Sequence, residues 1–120
     1  VTEAPPKTHT IWKYPLELVD VQTISLPKGA EFRLLADQGG TLTLWYEVDP
    51  GAEKADIQII IAGTGHEIPV GLMHLGSIMQ GAFVWHVYRV PTLTDVFMAL
   101  GGIRYSMKSF RHSFSSSDLS

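Results

Sequence analysis

The sequence predicts an all-β core, an antiparallel sandwich or small barrel of six to seven strands, followed by a C-terminal amphipathic helix. Three observations carry this. Short runs rich in β-branched and aromatic residues recur along the first three quarters of the chain, as half-buried strands do. Gly, Pro and Asp clusters separate them at short intervals, which supplies turns. The intervals leave no room for the helices that parallel strands need as crossovers, so the pairing should be antiparallel.

Residues 1–9 form an expected extended arm, because Pro5 and Pro6 stand together and no apolar period is present. The core is expected over 10–90 and the helical tail over 91–120. A first strand runs from Thr10 to Tyr14 and is limited by Pro15, which lacks the ladder donor. Val21 to Leu26 makes a second, closed by the turn Pro27-Lys28-Gly29, and Glu31 to Ala36 a third. Asp37-Gln38-Gly39-Gly40 is the clearest hairpin signal, since a glycine pair supplies positive φ twice. The fourth strand, Thr41 to Val48, alternates Leu42, Leu44, Tyr46 and Val48 with Thr43, Trp45 and Glu47, placing one apolar row toward a core. Asp49-Pro50-Gly51 ends it.

Ile57 to Ala62 is apolar nearly throughout and too short for a helix, the composition of a central strand. Gly63-Thr64-Gly65-His66 then opens the longest loop, and Pro69 and Gly71 keep it irregular until Leu72. Met73 to Met79 and Phe83 to Val90 complete the strands around Gln80-Gly81-Ala82. Beyond Pro91, Ile103, Met107, Phe110 and Phe114 recur at helical spacing, and Thr94 or Asp95 can cap the helix. Gly101 and Gly102 each cost about 1 kcal/mol in a helix interior and mark a break. Ser115 to Ser120 reads as a frayed, Ser-rich end.

Composition narrows the function classes. The 120 residues, 45% hydrophobic and 18% charged, suit one globular domain. A net charge of -3 gives no basic surface for general nucleic-acid binding. The absence of cysteine removes disulfides, thiolate metal sites and thiol nucleophiles. No apolar run has the length of a membrane span, and the chain is expected to be soluble and intracellular.

The local cluster with most chemistry is Gly63, Thr64, Gly65 and His66, where glycines let backbone N–H groups approach a phosphate and the hydroxyl and imidazole add hydrogen bonds. The plainer alternative is a turn that only leads the chain out of a strand. The cluster is neither a Walker loop nor a dinucleotide fingerprint. The histidines, His9, His66, His74, His86 and His112, show no His-x-His or His-x3-His pairing, so no metal is expected; His86 reads as a hydrogen-bonded strand residue beside Trp85 and Tyr88. No nucleophile elbow or acid–base set is apparent, no catalytic residues or cofactor are expected, and the reading is non-enzymatic.

Trp12, Tyr14, Trp45, Tyr46, Phe83, Trp85 and Tyr88 sit on strands where alternate residues face opposite ways, so some must face outward. Trp45 and Trp85 are the candidates for stacking on a ligand ring or lining a subunit contact. In the tail, Arg104, Lys108 and Arg111 give a basic edge beside the apolar row, read first as docking on its own domain or a neighbouring subunit.

The ordered set Lys13-Tyr14-Pro15-Leu16, Asp20 and Gln22, Pro27-Lys28-Gly29-Ala30, Leu44-Trp45, Val48-Asp49-Pro50, Gly63-Thr64-Gly65-His66, Leu75-Gly76 and Val84-Trp85-His86-Val87 resembles a family of small, uncharacterised phage-associated proteins also found in bacterial genomes. Leu26 stands where that pattern usually has Met, and the tail beyond Val90 lies outside it. The resemblance implies a phage setting. There the chain would be a homo-oligomeric accessory protein in the host cytoplasm, sequestering a phosphate-bearing small molecule such as a nucleotide immune signal through Gly63, Thr64, Gly65, His66, Trp45 and Trp85. The alternative is a virion component that uses its terminal extensions to contact other virion proteins or neighbouring subunits.

Overall fold

The structure is a computed structural model that describes residues 5–93 and 95. Seven strands are present: β1 Thr10–Pro15, β2 Val21–Pro27, β3 Glu31–Gln38, β4 Thr41–Val48, β5 Lys54–Gly63, β6 Met73–Gln80 and β7 Phe83–Arg89. They form two antiparallel sheets, one of three strands in the order β1-β4-β3 and one of four in the order β2-β5-β7-β6. Of the two expected architectures, the sandwich is the one formed. The expected tail helix falls on residues outside those described, apart from its start.

The apolar rows read from the sequence meet between the sheets. Leu42, Leu44, Tyr46 and Val48 of β4 are all buried, facing Ile57, Ile59 and Ile61 of β5 and Val87 of β7 in one core cluster. β5 is flanked by β2 and β7, and Ile60 and Ala62 on its other face are buried too, which explains its unbroken apolar composition.

Turn chemistry sets the registers. Gln38 pairs with Thr41, leaving Gly39 and Gly40 as a two-residue hairpin loop. Both have positive φ, 62° and 92°, as a type I′ turn demands. The β6–β7 hairpin ends similarly, with Gln80 opposite Phe83. The two hairpins are joined where Gln80 Nε2 donates to Asp37 Oδ2 at 3.1 Å and to the Gly40 carbonyl at 3.2 Å. Each sheet thus braces the other at this end.

β5 and β6 are separated by β7, so the connection 64–72 has to return along the sheet before β6 begins. This requirement is the physical reason for the long loop.

At the other end of β7 the capping residue differs from the sequence expectation. Among the described residues, Thr92 holds the N-cap position and Asp95 does not. Its Oγ1 accepts from the Asp95 amide at 3.1 Å, while Asp95 Oδ2 accepts from the Thr92 amide at 2.8 Å. This is a reciprocal capping box, and Arg89 donates to the same carboxylate at 2.9 Å. Asp95, expected as a cap itself, stands at the third helical position of the box.

In the arm, residues 5–9 are exposed and carry no strand. Lys7 and His9 nevertheless make side-chain ties to Asp49 and Glu47 at 2.9 and 2.8 Å.

Candidate functional site

The turn that follows β5 organises the candidate site, because its side chains divide between the two faces of the four-stranded sheet. Gly63 is the last residue of β5 and lies opposite Trp85 of β7. Its amide donates to His66 Nδ1 at 3.1 Å, and the His66 amide returns a bond to the Gly63 carbonyl at 3.1 Å. Because Nδ1 accepts, a neutral His66 carries its proton on Nε2. Gly65 has φ of +93°, which closes the turn. A Cβ at position 63 would stand 3.2 Å from His66 Cε1 and 3.5 Å from Trp85 Cζ3, so the glycine is what lets the imidazole fold back onto the strand.

Alternation along β7 separates its aromatic and polar residues. Trp85 has the same parity as the buried Val87 and packs against the core. Phe83 stacks on it, with centroids 5.5 Å apart and planes at 17°, yet remains 63% exposed. Trp85 Nε1 donates to Gln80 Oε1 at 3.1 Å, fixing the indole. One face therefore carries His66, the Gly63 turn, Trp85 and the open Phe83 ring.

The other face carries a continuous hydrogen-bonded chain. Thr64 Oγ1 and His86 Nε2 are 2.9 Å apart, Ser77 Oγ and His86 Nδ1 are 2.7 Å apart, and His74 Nε2 lies 3.1 Å from the same serine oxygen. The His74 ring rests against Tyr88 at 5.0 Å. Ser77 and His86 are cross-strand partners, as are His74 and Tyr88, while Thr64 arrives from the turn. His86 is thus the hydrogen-bonded strand residue expected, but its partners are hydroxyls from β6 and the loop. Among the described residues, no carboxylate bonds to His66, His74 or His86. No group of three or more metal-capable side chains forms there either.

Of the residues singled out in the sequence, Gly63, Thr64, Gly65, His66 and Trp85 meet at this end of the molecule. Trp45 does not. It lies on the outward face of β4 in the three-stranded sheet, between Lys13 and Leu34. Ile11 and Leu34 around it are 52% and 49% exposed. At the border of this face Glu47 takes bonds from His9 and Arg33. These hold its carboxyl below the usual range, the His9 bond contributing most. Phe83, Ser77, His74 and Tyr88 were not singled out together, and the pairing registers that join them depend on an irregularity between His74 and Gly76.

With the site in view, the comparisons with known proteins bear on the whole sandwich. A family model described as a domain of unknown function (DUF7352) matches residues 7–95. The chain belongs to that family. The match takes in all seven strands and the capping box, so the DUF7352 domain includes the complete sandwich and both faces of β7. It agrees with the resemblance to an uncharacterised family. No curated protein and no solved structure matches this DUF7352 chain. Among its described residues, no helix is long and apolar enough to cross a membrane.

Proposed function

We propose that the domain is a non-enzymatic binding protein that holds a phosphate-bearing small molecule with a planar ring, the chemistry of a nucleotide, at the turn end of the four-stranded sheet. The observation that carries this reading is the Phe83–Trp85 stack beside the Gly63–His66 turn. An open ring face accepts another flat ring. The amides of Thr64 and Gly65 bond to none of the described residues and are available to oxyanions. Trp45 has no part in this site. The phage setting implied by the resemblance extends the proposal to a homo-oligomeric protein of the host cytoplasm that sequesters a nucleotide signal without cleaving it.

The test is a thermal-shift screen of mono-, di- and cyclic nucleotides, followed by native mass spectrometry. Ligand at 100 times its dissociation constant should add about 2.7 kcal/mol of stability. If no nucleotide shifts the transition, the reading fails.

A second reading is favoured by a different observation, the apolar patch of exposed Ile11, half-buried Trp45 and exposed Leu34 on the outward face of the three-stranded sheet. Such a patch suits a subunit contact, as a virion component would use. Under this reading Trp45→Arg dissolves an assembly seen by size-exclusion chromatography and leaves the β circular-dichroism spectrum intact. An unchanged elution position counts against it.

A further inference from the structure

The hydrogen-bonded chain on the outward face of β7 has no role in the ring stack, yet it ends on Thr64, inside the proposed phosphate turn. We infer that the Thr64 hydroxyl is a switchable donor to the bound anion, released toward it when His86 carries its hydrogen on Nε2. This rests on the binding reading above and assigns one of its contacts.

The number of hydrogens in the chain allows only two arrangements of it. A neutral imidazole has one N–H and one acceptor nitrogen, and each hydroxyl has one hydrogen. Both His86 nitrogens are engaged, Nε2 with Thr64 at 2.9 Å and Nδ1 with Ser77 at 2.7 Å. If the hydrogen is on Nδ1, His86 donates to Ser77, and Thr64 must spend its own hydrogen on Nε2. If the hydrogen is on Nε2, His86 donates to Thr64 and the threonine hydrogen is free. Ser77 must then donate to Nδ1. Its oxygen, 3.1 Å from His74 Nε2, must accept from an N–H there.

The two states keep the same three contacts, so the switch moves hydrogens and leaves the backbone in place. Only the second state offers a hydroxyl donor beside the free amides of Thr64 and Gly65. An anion therefore selects it, by its differential interaction with the two states. No carboxylate bonds to the chain in the described residues, so an oxyanion meets no bonded negative charge there. His74, against Tyr88, is where the selected state is read out at the far end.

The experiment uses the full chain labelled with nitrogen-15 and titrated with inorganic phosphate at about pH 8, where free imidazole is neutral. Amide spectra report binding at Thr64 and Gly65, and long-range proton–nitrogen correlations report which imidazole nitrogen carries hydrogen. The expected result is that both amides shift while His86 moves to Nε2–H and His74 shows Nε2–H. Amide shifts with His86 held as Nδ1–H overturn the switch and leave the binding reading standing. No response at either amide overturns both. Thr64→Val should weaken phosphate binding roughly tenfold, whereas Thr64→Ser should retain it. Equal affinity for Thr64→Val and the unaltered chain overturns the assignment even if the tautomer changes.

Discussion

Replacing Phe83 by alanine separates the binding reading from a structural role for the ring. Phe83 is 63% exposed, so only about a third of its surface contributes to folding. Full burial of such a side chain is worth about 1.5–3 kcal/mol, which leaves roughly 0.5–1 kcal/mol here. Its stack on Trp85 at 5.5 Å adds about 0.5–1.5 kcal/mol. Phe83→Ala should therefore destabilise the fold by about 1–2.5 kcal/mol and leave it folded. A ring that stacks on a ligand base contributes about 1–3 kcal/mol to binding, so affinity for a nucleotide should fall roughly 5- to 150-fold. Isothermal titration with adenosine monophosphate measures the binding loss, and urea denaturation measures the folding loss. Met79→Ala supplies the control. Met79 is 75% exposed and faces the opposite side of the sheet by its pairing with Val84, so its removal should leave binding unchanged. Nucleotide binding that survives Phe83→Ala within about twofold, with Met79→Ala indistinguishable from it, would refute the platform.

Three further outcomes follow from other parts of the molecule. Tyr46 is buried, and its hydroxyl has no hydrogen-bond partner among the described residues. Its edge contacts with Tyr14 and Phe32 need only the ring. Tyr46→Phe should hence be neutral or stabilising by up to about 1 kcal/mol in urea denaturation, and a loss beyond that would mean the hydroxyl is satisfied. Gly63→Ala brings a methyl 3.2 Å from the exposed His66 ring; the ring can yield, so stability should drop by no more than about 1 kcal/mol. The amide at position 63 should lose its His66 acceptor and exchange faster with deuterium, and unchanged exchange would show that the imidazole is not its partner. Glu47 has its carboxyl shifted down, chiefly by the His9 bond and then by Arg33. A carboxylate of lowered pKa stabilises the fold above its unfolded value, and this is lost as pH falls through its folded value. Glu47→Gln should consequently flatten the fall of melting temperature below about pH 4.3, and an equally steep acid limb would remove the linkage.

What could be read from the chain beforehand has a clear boundary. Strand positions were legible because alternation and turn chemistry are local: Leu42 to Val48 declares its buried row, and Gly39-Gly40 declares its turn. The same alternation already separates Trp85 from His86, since adjacent strand residues face opposite ways. A site placing Thr64 with the Trp85 ring therefore had to divide between two faces once Thr64 bonded to His86. That bond was not legible. It joins residues far apart in sequence because β7 inserts between β5 and β6, an order that no local pattern encodes. The Ser77 contact needed more still, because the irregularity between His74 and Gly76 shifts the register by which Ser77 comes to face His86. Without that shift the alternation of β6 would send Ser77 to the opposite face, and the chain from Thr64 to His74 would be broken at its middle. The displaced register at Leu75 is thus what makes two imidazoles and two hydroxyls one connected unit, and it ties any function of that unit to the local geometry of β6.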